Sequence, residues 1–450
     1  MKKILTRHSR FGRRLTALGL SLCLLLAATG CAQTGSTAAP AASAAEETAE
    51  AAEAAEAVEE TAEAVEETAE AVDEAAEAAE ETAEAAEAGE APAAEEEEAP
   101  EEPSADGTVT ITDHADRTVT VPTDPTRVVI LDILPLPSVL TVFLGSAETI
   151  LAMQPASMNA AKNGILSELF PDVLNVSTDI MAGDDVNVES LIALDPQIVY
   201  YNAGNKALCE KLENAGLTAV GVSPTKWHYD CIVTYDHWIE LLSEIYPSVN
   251  ATSDIRSKVS AFSTQMYDLI QERTKDLAEE DRKRVLFLFQ YDENTMITSG
   301  SSFFGQWWCD ASGAVNVANG VSADNSNAVI TMEQVYEWDP EVIVITNFTK
   351  TQPDDLYNNA IGSDDWSSIT AVKNKQVYKM PLGTYRTYTP GVDTPMTLEW
   401  MAVNLYPELF PEFDLAEDVR AYYNDLYGVE LTDEQIEAMY HPSSAAGSWK

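Results

Sequence analysis

The chain has 450 residues, 45% of them hydrophobic, and sets 75 acidic side chains against 26 basic ones for a formal net charge of −49. So acidic a balance, with no basic stripe anywhere, excludes nucleic acid and a bare anionic membrane surface as partners. The length leaves room for two domains of ordinary size beside a leader and a tether.

Residues 1–14 carry Lys2, Lys3, Arg7, Arg10, Arg13 and Arg14, and Leu15–Leu26 form an apolar stretch too short to span a bilayer comfortably. Residues 1–30 therefore read as a secretory signal peptide. Its end, Leu26-Ala-Ala-Thr-Gly-Cys31, resembles a bacterial lipobox, with Ala28 where leucine is more usual. That resemblance implies lipidation of Cys31 and two or three acyl chains in a membrane, enough for stable anchoring. The blander alternative is an incidental cysteine beside an ordinary cleavage site.

Residues 31–107 read as an acidic tether of Ala, Glu, Thr, Val and Pro, with 25 acidic residues from Glu46 to Glu102 and no Lys or Arg between Arg14 and Arg117. The heptad echo at Glu63–Ala69 and Glu70–Ala76 offers only Ala and Val for a seam. Glu repeatedly faces Glu one turn away, which is repulsive, so a solvated tether with fluctuating helix is expected. Fully helical, about fifty residues would reach roughly 75 Å. Without those acids and the six bases of the leader, the remainder still carries 50 acids against 20 bases, about −30. Beyond Cys23 and Cys31 only Cys209, Cys231 and Cys309 remain, so at most one intramolecular disulfide can form. Cys209 with Cys231 is one pairing, and buried free thiols are the equal alternative.

Residues 108–250 are expected to form a first α/β lobe. The alternating runs Thr108–Thr112 and Thr118–Pro122 read as a hairpin. Strands follow at Arg127–Asp132, Thr149–Met153, Ile198–Asn202 and Ala219–Val222, each trailed by a helical segment such as Ser138–Leu144. That alternation implies a parallel sheet with right-handed crossovers. Ser253–Glu279, free of Pro and Gly, carries Ile255, Val259, Phe262, Met266, Leu269 and Ile270 near helical spacing. Residues 251–282 thus form a connecting helix, and residues 283–450 a second α/β lobe, with strands at Arg284–Gln290, Val342–Thr346 and Gln376–Met380. Leu398–Leu426 is mostly helical, interrupted by Pro407 and Pro411.

One stretch occurs twice. Glu189-Ser-Leu-Ile-Ala-Leu-Asp-Pro-Gln-Ile-Val-Tyr-Tyr201 reappears as Glu333-Gln-Val-Tyr-Glu-Trp-Asp-Pro-Glu-Val-Ile-Val-Ile345. Each copy is a short amphipathic helix stopped by Asp-Pro and followed by a β-branched run of the kind that forms a buried parallel strand. The fold class is therefore α/β, two Rossmann-like lobes with central parallel sheets joined by one long helix and a ligand cleft between them. Because a helix bends little, ligand capture should involve modest closure.

With these residues in place the chain resembles the helical-backbone (class III) substrate-binding lipoproteins of ABC importers for iron-siderophores, haem and cobalamin, over essentially all of Thr108–Phe410. The marks are Ile111–Pro122 with Pro125–Val129, Glu189–Pro196, Ala311–Asn316, Glu333–Pro340, and Trp366–Val372 with Val377-Tyr378. In that family the matching glutamate on each lobe pairs with arginines of the permease dimer. The resemblance therefore implies docking roles for Glu189 and Glu333. The same two residues stand second after the N-cap candidates Asn187 and Thr331, where a carboxylate contributes about 0.3–1 kcal/mol to a helix N-terminus.

Ligand contacts are expected from loops at the carboxyl ends of the strands. In the first lobe these supply Asp132, Gln154, Asn202, Trp227, His228 and Tyr229; in the second, Tyr291, Trp307, Tyr385, Arg386 and Tyr388. Aromatic groups flanking a cation suit a flat, anionic ligand. Trp227 and Tyr229 could equally anchor their loop, and Phe303, Phe304, Trp307 and Trp308 have the spacing of a helix core. Arg386 stands out as a local reversal of an acidic field. His228, Cys231 and His237 lack the spacing of a zinc set, so no protein-held metal is expected, though a Tyr or His could serve as an axial haem ligand.

No G-x-G-x-x-G, Walker A, G-x-S-x-G or H-E-x-x-H occurs, so no enzyme and no cofactor are expected. The expected protein is an extracytoplasmic, lipid-anchored monomer that hands a small-molecule metal chelate, first of all an iron chelate of the siderophore type, to an ABC permease dimer with its ATPase. Haem, cobalamin or an oxyanion such as molybdate are alternatives on the same scaffold; a tetrapyrrole chelatase is a distant one.

Overall fold

The computed structural model describes residues 107–183, 185–250, 255–321 and 328–448. The signal peptide, Cys31 and the acidic tether lie outside the described residues.

The chain opens with an antiparallel hairpin, β1 (Thr108–Thr112) and β2 (Thr118–Pro122), in one-to-one register from Thr108 opposite Pro122 to Thr112 opposite Thr118. Asp113 organises its turn. Its Oδ1 accepts from the backbone N–H groups of Ala115 and Arg117, and its Oδ2 accepts from Arg117 Nη2 at 2.6 Å and from the N–H of Gly221 at 2.8 Å. The hairpin is thereby fastened to the first sheet.

That sheet holds β3 (Val128–Ile130), β4 (Ile150–Met153), β7 (Ile198–Asn202) and β8 (Ala219–Val222), all parallel, in the order β4-β3-β7-β8. A two-residue pair, β5 (Met181–Ala182) and β6 (Asp185–Val186), lies apart from it. The helices that matter here are α1 (Leu136–Leu144), α2 (Pro155–Asn163), α3 (Val188–Leu194), α4 (Lys206–Asn214) and α5 (Cys231–Ile245). Alternate strand residues face opposite ways. Val128, Ile130, Ile198, Tyr200 and Val220 enter one apolar cluster, and Val129, Leu131, Val199, Tyr201 and Ala219 the other. Burial on both faces explains why the strands are apolar throughout rather than alternating.

The second sheet is β10-β9-β12-β13, with β9 (Arg284–Tyr291), β12 (Val342–Ile345) and β13 (Val377–Lys379) parallel and β10 (Met296–Thr298) antiparallel; β11 (Val315–Asn316) also pairs with β9. Its two faces alternate likewise. Phe287, Phe289 and Val344 join an aromatic cluster, whereas Leu286, Leu288, Ile343 and Ile345 pack against Trp366 and Ile369 on the other side.

Between the sheets runs α6 (Ile255–Thr274), the expected connecting helix, packed against α5 on one side and against α7 (Phe304–Ser312) and α11 (Thr394–Leu405) on the other; α8 (Met332–Trp338), α9 (Pro353–Tyr357) and α10 (Thr370–Lys373) come between α7 and α11 in the chain. The last helices, α12 (Leu415–Tyr427) and α13 (Asp433–Tyr440), follow the second sheet in the chain but insert Val419, Tyr422, Tyr423, Leu426, Ile436 and Met439 into the apolar cluster of the first. The chain thus crosses between the lobes twice. The two crossings are braced together: Lys258 Nζ donates to the carbonyl of Asp425 at 2.9 Å, and Arg273 Nη1 to that of Leu409 at 2.7 Å, with the Arg273 guanidinium 5.0 Å from the ring centre of Phe410.

The duplicated stretch is a duplicated piece of structure. Helices α3 and α8 (Met332–Trp338) both span seven residues, and both end on an aspartate in the left-handed region, Asp195 at φ 50° and Asp339 at φ 37°. The following proline disfavours a further α-helical residue there. Arg127 Nε and Nη2 donate to the Asp195 carbonyl, while Arg284 donates through Nη1 to the carbonyl of Trp338 and through Nη2 to that of Asp339. The backbone follows suit: Gln197 N donates to Arg127 O at 2.7 Å and Glu341 N to Arg284 O at 2.9 Å.

Candidate ligand cleft

The carboxyl ends of the parallel strands carry the loops that line the space between lobes. Asp132, just after β3, is half-buried and works within its own lobe: Oδ1 accepts from the N–H of Asn202 at 2.6 Å and Oδ2 from Asn205 Nδ2 at 3.0 Å. Asn202 in turn accepts from the N–H of Gly204. Gln154 stands at the N-cap position of α2, where its backbone carbonyl, not its side chain, accepts from the N–H groups of Ser157 and Met158. These three residues shape one rim.

The loop before α5 turns through consecutive left-handed residues, His228 at φ 54° and Tyr229 at φ 62°. Trp227 does not reach across the cleft. It stacks on His237 of α5 at 4.1 Å and 12°, and meets His114 edge-on at 4.9 Å, so it anchors its loop. Burial first, then the nearby charges of His237 and Lys226, depress His114 to a pKa of about 4 and keep it neutral against the indole. His228 is exposed. Tyr229 spans the lobes, its ring edge-on to Phe303 and Phe304 at 5.9 and 5.2 Å.

In the second lobe the aromatics turn inward. Tyr388 is fully buried, its hydroxyl 2.9 Å from Ser299 Oγ and accepting from the N–H of Gly305 at 3.0 Å. Trp307 packs edge-on against Trp308, and both belong with Phe303 and Phe304 to the aromatic cluster. Tyr291 donates to Asp364 Oδ2 at 2.8 Å and accepts from Trp366 Nε1 at 3.0 Å, on the far face of the sheet. Tyr385 is buried beside Arg386, and burial raises its pKa to about 12.

Arg386 is fully buried, its guanidinium carbon 4.7 Å from the ring centre of Phe348. Beneath it lies Lys379, the last residue of β13, whose Nζ donates to the carbonyls of Thr346, Thr349 and Thr351 at 2.8, 2.7 and 2.8 Å. Burial, then the charge of Arg386, lowers Lys379 to about 7. Arg386, joined by Lys379 once that amine is protonated below about pH 7, creates a positive field in a strongly acidic protein. Across from them, Asn159 of α2 points its amide at the same place: Asn159 Nδ2 and Arg386 Nη2 both donate to the carbonyl oxygens of Ala446 and Ser448, at 2.9–3.3 Å. Sequence reasoning missed Asn159 and Lys379. The signal for Lys379 was a lone lysine ending a short strand; Asn159 lies five residues past Gln154, on the helix that follows it.

Glu189 and Glu333 are exposed in the first turns of α3 and α8. Asn187 accepts from the N–H of Ser190, and the N–H of Thr331 donates to Gln334 Oε1, so both helices start at the expected caps. The Glu333 carboxyl is held below its usual range by its own backbone N–H and the Thr331 hydroxyl. Cys209, Cys231 and Cys309 are free and buried, so Cys209 and Cys231 form no disulfide. Among the described residues, no group of three or more His, Cys, Asp or Glu side chains converges to hold a metal ion.

The family profile described as "Periplasmic binding protein" matches residues 141–382. The chain belongs to that family. It is similar to the molybdate-binding protein MolA of Haemophilus influenzae, 26% identical over 362 residues, 75% of this chain and 93% of MolA. It is also similar to the Fe(3+)-citrate-binding protein YfmC of Bacillus subtilis, 26% identical over 212 residues, 47% of this chain and 62% of YfmC. Among solved structures, a periplasmic solute-binding protein from Veillonella parvula superposes with a TM-score of 0.63 at 25% identity, covering 74% of this chain and 97% of that one. The two-lobed α/β fold is that of a binding protein, and the chain serves an ABC transporter as its substrate-binding component.

Proposed function

We propose that this is an extracytoplasmic, lipid-anchored binding protein that captures a compact, oxygen-rich anionic iron chelate between its lobes and passes it to an ABC permease. The observation that carries the ligand reading is the pair Asn159 and Arg386, one donor from each lobe aimed at the same oxygens, with Lys379 behind them. Donors so arranged suit carboxylate or hydroxamate oxygens around a metal, since a charged acceptor makes a stronger bond to a guanidinium than a neutral one. The inward turn of Tyr388, Trp307 and Tyr291 leaves little aromatic surface for a flat macrocycle, which weighs against haem and cobalamin. The name of the relative YfmC, an Fe(3+)-citrate-binding protein, supports the chelate.

A second reading, a tetrahedral oxyanion, is favoured by the coverage of MolA, whose name gives molybdate as its ligand. Calorimetric titration with ferric citrate and with molybdate separates the two. Saturable binding of ferric citrate that falls at least tenfold in Arg386→Ala, in a chain that keeps its native circular dichroism at the assay temperature, is expected. Binding of molybdate alone would replace the first reading by the second.

Topology supports the docking role of Glu189 and Glu333. Each opens the helix that leads back to a parallel strand, so each belongs at the carboxyl edge of its sheet, the edge that carries the cleft loops. Charge complementarity to permease arginines would set the register of the complex.

A further inference from the structure

Segment 443–448 of the chain lies in the cleft itself. After α13 it makes one 3₁₀ turn over Ser444–Gly447, with Ala446 fully buried. Asn159 Nδ2 donates to the carbonyls of Ala445, Ala446 and Ser448 at 3.0, 3.3 and 2.9 Å, and Arg386 Nη2 to those of Ala446 and Ser448 at 3.1 and 2.9 Å. Gly447 presses on the loop after β12, where a Cβ would stand 2.0 Å from the Thr349 carbonyl oxygen and 2.5 Å from the N of Lys350. The segment therefore touches α2 in the first lobe and two cleft loops in the second. Its sequence, Ser-Ser-Ala-Ala-Gly-Ser, has no charged side chain, so backbone carbonyls supply its grip on the donors.

We propose that segment 443–448 is a tethered occupant of the ligand cleft, which holds Asn159 and Arg386 through its carbonyl oxygens until an oxygen-rich anion takes both donors and displaces it. This rests on the ligand reading above. Being tethered, the segment competes at a high effective concentration. Being neutral, it yields to an acceptor that carries charge. While it is bound, the two lobes are bridged without ligand, and the affinity measured for ligand is reduced by the fraction of molecules whose cleft is vacant.

Three chains test this: the unaltered one, one shortened to end at Pro442, and the full chain with Gly447→Val, which expels the segment without touching either donor. Each is titrated with ferric citrate and with molybdate, and each is mixed with a fluorescein-labelled hexapeptide of the 443–448 sequence, followed by anisotropy. Both altered chains should bind a probe about tenfold more tightly than the unaltered chain, as for a cleft closed nine-tenths of the time. Both should also bind the labelled peptide about tenfold more tightly than the unaltered chain does. Equal affinity of all three chains for a probe would overturn the proposal. If neither probe binds any of them, the ligand reading fails by itself, and the peptide decides: binding to the shortened chain upholds the tethered occupant, and no binding removes it.

Discussion

The hydroxyl of Tyr423 donates to Asp393 Oδ1 at 2.5 Å, while Thr384 donates through both its N–H and its Oγ1 to Asp393 Oδ2, each at 2.7 Å. A buried carboxylate thus joins the loop that carries Arg386 to a helix, α12, packed in the first lobe. Gly383 is required beside it, since a Cβ there would stand 2.4 Å from Oδ2. Asp393→Ala would leave two hydroxyls and an N–H without their acceptor in the interior, at a cost of about 3 kcal/mol. Urea unfolding should show that loss; a change under about 0.5 kcal/mol would mean that the neighbours rearrange without penalty.

Glu399 of α11 gives the stability a pH dependence. Burial first, then Asp418 and Asp414, push its carboxyl from 4.5 up to about 9. The folded chain therefore holds this proton more tightly than the unfolded one. Its contribution is complete below pH 4.5 and is lost as the pH rises toward 9. Glu399→Gln, neutral at every pH, should raise the unfolding free energy at pH 8 by several kcal/mol, up to about 5, and leave it unchanged at pH 4. A variant equally stabilised at both values would assign the gain to packing instead.

Glu189 and Glu333 should be needed by the transporter and dispensable for the ligand. Replacing both with alanine is expected to abolish uptake in cells while ligand affinity and unfolding stay as they were. Retained uptake would reduce the pair to helix-capping carboxylates worth about 0.3–1 kcal/mol each.

Cys31 is the proposed lipid attachment. Metabolic labelling with an alkynyl palmitate should mark the unaltered protein and leave Cys31→Ser unlabelled and released from the membrane fraction. Label surviving in the serine variant would move the anchor elsewhere.

Much of the fold was legible because it depends on periodicity and repetition. Asp195-Pro196 and Asp339-Pro340 mark two helix ends and two buried strands, and the structure adds Arg127 and Arg284 closing both copies in the same way. The apolar spacing through Val259, Met266 and Ile270 is enough to find the connecting helix. The cleft was legible as loops but not as side-chain directions. Tyr385-Arg386-Thr387-Tyr388 reads as aromatics around a cation, yet whether Tyr388 faces the cleft or the core depends on Ser299 and Gly305, far off in sequence. Nor does local pattern reveal which lobe α12 rejoins, because an amphipathic helix fits any apolar surface of matching width.

The doubled crossing between lobes, α6 outward and the chain into α12 on return, makes a truss rather than a pivot. With Lys258 tying it near one end and Arg273 near the other, twisting one lobe against its partner would shear both ties and bend two struts at once. Such a frame stores little slack, so most of the ordering that recognition demands is met when the chain folds rather than when a ligand arrives. Selection among ligands then falls to the shape and charge of a nearly fixed aperture, and a solute too large for it is turned away at the door instead of being enclosed.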